Sequence, residues 1–342
     1  MIGRFLCGIS AGCYSYILPI YTGEISSNEF RGGLLSLFQG SVNFGVLFVF
    51  SLGHFTNFFV LNVTCGSLTI LYSICFLLMP ESPALLVAHN RENDAKDSLI
   101  LLNGKHFDAA AQIETLRKQN EVKKKTFVEV FKTKATMKAF VIIMFQFFFF
   151  QMCGINVILF YSTTIFIEAG INLEAGIASI VVACFQVTST LLSLVFVDRF
   201  GRKIMLCLSN GIMTLGMVGI GTYFAIRDAG NSVDLLKWLP LTSLCIFVIA
   251  FAAGMGPVSF ILLGEIFQHD AKQFVAPIGQ TLNLFLTFVI GLTFPMLTQG
   301  IGPGPTFFIF SAFCFLALLF TILIIPETKG KSFAEIQEIL SR

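Results

Sequence analysis

Phe147–Phe166, FFFFQMCGINVILFYSTTIF, is the stretch that decides the fold. It lies in an apolar run long enough to cross a bilayer, which takes about 20 such residues in a helix, yet Gln151, Gly154 and Asn156 stand together inside it. Lipid offers a side-chain amide no hydrogen-bond partner, so Gln151 and Asn156 are expected to face a protein interior or a watered cavity. Gly154 weakens the helix where the polar groups gather. Two readings of the amides stand side by side. They form a site for a neutral polar solute beside a softened span, or they glue neighbouring helices together.

The chain around this stretch has the same character. Of its 342 residues 55% are hydrophobic and 12% charged, with a mean hydropathy of +0.82. A water-soluble domain carries about twice that charged fraction, so the chain is read as an all-α integral membrane protein. The nine cysteines fall inside apolar segments without a CxxC pair. They read as small packing residues rather than as disulfide partners or zinc ligands. No HExxH, no glycine-rich phosphate loop followed by lysine and no Ser/His/Asp arrangement occurs, so neither an enzyme nor a metal or cofactor is expected.

Nine spans are expected, at 2–22, 34–54, 58–79, 139–167, 175–197, 203–225, 239–263, 274–299 and 304–325. Between the third and fourth lies a polar linker, 80–138, with helical patterning at Asp94–Leu102 and Ala109–Asn120. Of the 22 lysines and arginines, all but Arg4, Arg227 and Lys237 fall on alternate loops. The positive-inside rule makes those loops, the linker and the C-terminal tail cytoplasmic. Glu24 precedes Arg31 after the first span as Glu265 precedes Lys272 after the seventh, and Pro80-Glu81-Ser82 closes the third span as Pro326-Glu327-Thr328 closes the ninth. This repeat implies two parallel halves. Residues 1–79 are then the last three helices of an N-terminal half, 139–325 a six-helix C-terminal half and 326–342 a tail, and three further spans are expected upstream.

The ordered motifs are Gly3-Arg4-Phe5, Tyr21-Thr22-Gly23-Glu24-Ile25-Ser26 with Arg31-Gly32, Pro80-Glu81-Ser82-Pro83, Gln151 with Gly154-Ile155-Asn156, Asp198-Arg199-Phe200-Gly201-Arg202-Lys203, Gly256-Pro257 with Gly264-Glu265-Ile266-Phe267, and Pro326-Glu327-Thr328-Lys329-Gly330. With them the chain resembles the sugar porter family of the major facilitator superfamily, and within it the insect facilitated trehalose and glucose transporters. The resemblance implies a major facilitator fold, N-terminally incomplete, with nine of twelve transmembrane helices.

It also implies site residues. Gln39, Gln151, Asn156 and Asn283 occupy positions where sugar porters present amides to sugar hydroxyls, and Gln186 stands where an asparagine is often found. The chain departs from the family at Phe150, where a second glutamine is usual. It departs again at Ala252, Phe260 and Leu284, where some members place an acidic residue, a tryptophan and a tryptophan. Phe260 is therefore read as an aromatic lining of a site with fewer hydrogen-bonding groups.

Glu24, Arg31, Glu81, Asp198, Arg199, Arg202, Lys203, Glu265, Lys272 and Glu327 all lie at cytoplasmic span ends. They read either as membrane-flanking charges or as an inner gate that ties the halves together, and the resemblance implies the gate. Gly254, Gly256 and Pro257 are expected to break the seventh span, and Pro277 and Pro295 to bend the eighth. Phe333, Ile336, Ile339 and Leu340 mark a short amphipathic tail helix expected against the linker.

The function expected is transport of a hexose or trehalose-like disaccharide by alternating access, as facilitated diffusion, since no span holds a carboxylate near mid-bilayer. The alternatives are a truncated, non-transporting product and a carrier of a non-sugar amphiphilic solute. The partners expected are a small sugar and the bilayer, and not nucleic acid; the chain is expected to be a multi-pass protein of the plasma membrane with a cytoplasmic C-terminus, and no oligomeric state is implied.

Overall fold

A computed structural model describes residues 2–25, 31–104, 107–121, 131, 133–170, 174–267, 269–331 and 333–341. Every regular element among the described residues is helical. The chain divides into two compact units, Met1–Phe38 with Phe55–Thr126, and Gln39–His54 with Phe127–Arg342.

The first unit holds α1 (Ile2–Ile25), the start of α2 (Arg31–Phe55), α3 (Phe58–Leu77), α4 (Pro83–Ala88), α5 (Glu92–Asn103) and α6 (Ala109–Glu121). Tyr14 meets Tyr72 edge to face at 5.6 Å, and the Tyr21 hydroxyl donates to the Pro80 carbonyl at 2.7 Å. The Ser82 hydroxyl accepts from Leu85 N and Pro83 opens the helix, so α4 starts where a capping residue and a fixed φ coincide. Helices α4 to α6 form a small amphipathic cluster, with Leu86, Val87 and Ala95 buried against Ile113 and Leu116. The helical patterning read at 94–102 and 109–120 corresponds to α5 and α6, whereas α4 was not foreseen.

The second unit holds the rest of α2 together with α7 (Lys134–Met152), α8 (Ile155–Ala169), α9 (Ala175–Phe200), α10 (Arg202–Asp228), α11 (Leu239–Ala250), α12 (Gly256–Ile266), α13 (His269–Ile301), α14 (Pro303–Leu323) and α15 (Phe333–Ser341). Helix α10 is its hub, packed on α11 and α14. The side-chain pattern of α13 shows how a bilayer sorts a helix. Phe285, Phe288, Leu292 and Met296 are exposed while Asn283, Leu286, Ile290 and Phe294 are buried, two stripes at helical spacing. Among the described residues seven helical stretches are long and apolar enough to cross a membrane. The other two expected spans are α1 and α2, and the chain is a multi-pass membrane protein.

One expectation about helix geometry changes. At Gly256 and Pro257 the backbone does not part: α11 widens into a π turn over Phe251–Met255 and α12 follows directly. Proline sits there in the first turn of α12, where its missing N–H costs little. The polar groups that the wide turn frees are taken up by Ser209 of α10, whose hydroxyl donates to Ala250 O at 2.8 Å and accepts from Met255 N at 3.0 Å. Gly254 is what lets α10 come so near, because a Cβ there would stand 2.5 Å from that of Ser209. Helix α13 runs unbroken through Pro277 and Pro295. The tail helix α15 packs on α7 and α12, burying Ile336 and Leu340 and donating from Gln337 Nε2 to Ile266 O at 3.2 Å. Its apolar stripe has found a helical groove within the second unit.

Candidate functional site

The chain does part at Gly154. Helix α7 ends at Met152 and α8 begins at Ile155, with Gly154 between them at φ 89°, a left-handed conformation that side chains other than glycine rarely adopt. This break brings Gln151 and Asn156 together across the junction. Asn156 Nδ2 donates to Gln151 Oε1 at 2.6 Å and to Thr287 Oγ1 at 3.3 Å. Gln151 Nε2 donates to Thr287 Oγ1 at 2.8 Å and to Asn283 Oδ1. Gln151 and Asn283 are 2% and 4% exposed.

Each amide offers two N–H groups and a carbonyl with two lone pairs. Both N–H groups of Gln151 and both of Asn156 are engaged, and the Thr287 hydroxyl spends its hydrogen on Asn283 O. Among the described residues, Asn156 Oδ1 and Asn283 Nδ2 have no protein partner. One is an acceptor and the other a donor, the two roles that a hydroxyl plays at once.

Gln39 and Gln186 belong to a second cluster. Gln186 Nε2 on α9 donates to Asn43 Oδ1 on α2 at 3.0 Å, and Gln39 Nε2 donates to the same oxygen at 3.3 Å. Asn43 Nδ2 donates to Thr190 Oγ1 at 2.6 Å. Phe260 on α12 meets Phe147 at 5.5 Å and Phe150 at 5.9 Å, both edge to face. A cavity of about 530 Å³ in the second unit is lined by His54, Thr163, Glu174 and Ser179 among others, not by these amides.

Asn43, Thr190 and Thr287 were missed in the sequence. Their signal was present: Gln39 and Asn43, Gln186 and Thr190, and Asn283 and Thr287 are all polar pairs one helical turn apart in apolar helices, so each pair shares a face.

Among the described residues several of the charged side chains are paired. Arg202 donates from Nε and NH2 to Glu265 Oε1 at 3.0 and 2.9 Å, while Thr328 Oγ1 donates to Glu265 Oε2 at 2.5 Å. Glu327 accepts from the backbone N–H of Arg202, Lys203 and Lys329, each at 3.0 Å. Burial pushes the Glu327 carboxyl up, but the backbone donors outweigh it and hold the group below its ordinary range. Lys203 Nζ donates to Ile322 O and Lys329 Nζ to Arg199 O, both at 2.8 Å, and Lys272 Nζ lies beside Gly264. In the first unit the exposed Glu81 pairs with Arg91 at 3.1 Å. The side chains of Glu24, Arg31 and Asp198 lie outside the described residues.

Residues 1–340 match the sequence model of the Sugar (and other) transporter family. The facilitated trehalose transporter Tret1 of Drosophila erecta is 34% identical over 98% of this chain and 40% of its own length. The facilitated trehalose transporter Tret1-2 homolog of Drosophila sechellia is 33% identical over 98% of this chain and 70% of its own. The chain thus spans less than half the length of several curated relatives. Among solved structures, the proton:xylose symporter XylE bound to 6-bromo-6-deoxy-D-glucose superposes with a TM-score of 0.73 at 26% identity, over 94% of this chain and 70% of that one. The inward open conformation of the xylose transporter XylE from E. coli gives 0.76 at 25% identity, over 94% of this chain and 68% of that one. With the helical order, the motifs and the matched length in agreement, the chain belongs to the Sugar (and other) transporter family, with a major facilitator fold.

Proposed function

We propose that the chain takes part in moving a sugar, a hexose or a trehalose-like disaccharide, across a membrane by alternating access. The observation that carries this reading is the cluster of Gln151, Asn156, Asn283 and Thr287 at the α7–α8 break, in which the Asn156 carbonyl oxygen and the Asn283 amide nitrogen have no partner among the described residues. A neutral polyol suits such a pair and an ion does not. The relatives named as trehalose transporters and the neighbours named for xylose support the same solute class. That none of the spans in this sequence holds a mid-bilayer carboxylate supports facilitated diffusion as the form of transport.

In this reading residues 1–79 are the last helices of the N-terminal half, 80–138 the linker, 139–325 the C-terminal half and 326–342 a cytoplasmic tail, in the plasma membrane. Gln39, Gln151, Asn156, Gln186, Asn283 and Phe260 contact the solute. The Arg202–Glu265–Thr328 set, with Glu327, acts as a latch on the inner face, so Glu265→Gln slows cycling more than it weakens binding. A binding loss at unchanged maximal rate would remove the latch.

The rival role, interhelical glue, is favoured by the bonds the amides make to one another. Proteoliposomes holding the purified chain separate the two. Saturable uptake of D-glucose or trehalose over L-glucose, insensitive to collapse of a proton gradient, supports transport. Equal passage of D- and L-glucose leaves the amides as glue and the chain as non-transporting.

A further inference from the structure

The second cluster has a polarity that can be worked out atom by atom. The single hydrogen of the Thr190 hydroxyl is spent on the Gln186 carbonyl one turn back, at 2.9 Å. Its oxygen can therefore only accept, so the Asn43 group facing it at 2.6 Å must be the NH2. That turns Asn43 Oδ1 toward the two glutamines, and each answers with an N–H, at 3.0 Å from Gln186 and 3.3 Å from Gln39. One N–H of Gln186 is then held by Asn43, which sets the orientation of the amide, and its Oε1 is left buried without a partner among the described residues. Gln186 and Asn43 are 2% and 3% exposed, so neither amide has water as an easy substitute. An unmatched buried acceptor of this kind is costly, typically about 1–3 kcal/mol. A second lone pair on a hydroxyl cannot relieve it; only a donor can.

We propose that Asn43, oriented by Thr190, is a specificity-determining residue that fixes the orientation of the Gln186 amide, so that its carbonyl oxygen is the group presented to a hydroxyl donated by the solute. The proposal rests on the transport reading and deepens it. Asn43 belongs to no position inferred for contact with sugar; it acts by setting which face of Gln186 is presented when α2 and α9 part to admit the solute. The site then discriminates among solutes by whether they can donate at one position, and not by size alone. Replacing Asn43 with a residue of similar volume and no amide frees Gln186 to turn either end outward, and the discrimination disappears.

Fluorine in place of a hydroxyl accepts weakly and cannot donate, so deoxyfluoro sugars read this polarity directly. Binding of D-glucose and trehalose, and of their single-position deoxyfluoro analogues, is measured by calorimetry on the purified full chain and on Asn43→Leu. The wild-type protein should lose about tenfold in affinity for the analogue fluorinated at one position, and in Asn43→Leu that penalty should shrink to about twofold. Thr190→Val removes the first link with little change of shape, so it should lower the penalty in the same direction even if Asn43→Leu folds poorly. Sugar binding with a flat fluoro series in the wild type, or a penalty unchanged in both variants, overturns the proposal alone. No binding of either parent sugar overturns the transport reading and this proposal with it.

Discussion

Gln146 and Gln151 stand on one helix, both almost wholly buried, and their surroundings treat them differently. Gln146 lies inside the unbroken part of α7, where its Nε2 donates to Ser259 Oγ at 2.8 Å and to Met255 Sδ at 3.2 Å. Ser259 in turn donates to Met255 O, so this contact fastens α7 to the π turn and to α12. Gln151 lies at the end of the same helix, where the chain turns at Gly154 and a second amide arrives from α8. Gln146 is fastened through its nitrogen to the π turn and α12. Gln151, beside the break, joins a cluster of amides and a hydroxyl drawn from two further helices, and such a cluster can be offered to a solute as a unit.

The largest test of this contrast replaces each glutamine by leucine. Gln151→Leu removes three hydrogen bonds and should cut sugar uptake in proteoliposomes about 100-fold, at about 1 kcal/mol or more for each lost bond. Gln146→Leu should lower unfolding stability by about 1–3 kcal/mol and leave uptake per folded molecule within about threefold. Equal losses of uptake from both variants would erase the distinction. Gly154→Ala follows in size. The left-handed backbone costs a side chain about 1–2 kcal/mol, and a Cβ at Gly154 would lie 3.1 Å from the Phe310 ring. A fall of several degrees in melting temperature with about tenfold slower uptake is expected. Gly300→Ala, a helical position with open space around it, serves as the control and should do neither harm.

The sequence made one side of this contrast readable and left the other hidden. Phe-rich runs and alternating basic loops mark the long apolar helices, because bilayer crossing is a matter of length and hydropathy. Gly154 was legible as a weak point, since Gln151 and Asn156 flank it. Gln146 was not singled out, because a lone glutamine among phenylalanines shows no partner until Ser259 is brought across from another helix. The π turn was misread as a break at Gly256 and Pro257, for the compensation comes from Ser209, far away in sequence. Asn43 went unnoticed for the same reason, as its meaning depends on Thr190. Local composition reports where the backbone is weak; only tertiary packing reports which polar groups are used up.

Ser209→Ala sharpens the comparison from the structural side. It leaves Met255 N without its hydroxyl acceptor and Ala250 O without its donor, and should cost about 1–2 kcal/mol of unfolding free energy. Because the π turn belongs with Gln146 and not with Gln151, the affinity for sugar should hold. A selective loss of affinity with unchanged melting would mean that the two polar regions act as one.

The smallest effect is expected at the charged end, where Glu265 is held by side chains and Glu327 by backbone N–H groups. Since the Glu327 carboxyl is held below its ordinary range in the fold, its contribution is fully present above the ordinary carboxylate pKa and is lost as pH falls through the lowered one. Melting of the wild-type chain should therefore drop a few degrees more than that of Glu327→Gln between about pH 6 and about pH 3. The glutamine keeps one acceptor oxygen, enough for the Arg202 and Lys329 N–H groups, but sets an NH2 where Glu327 Oε2 accepts from Lys203 N–H; it has no proton to gain, so its curve should start lower and stay flat while the wild-type curve falls toward it at the acid end. Parallel curves across that window would show that the N–H groups at the start of α10 bind the side chain for its shape and not for its charge.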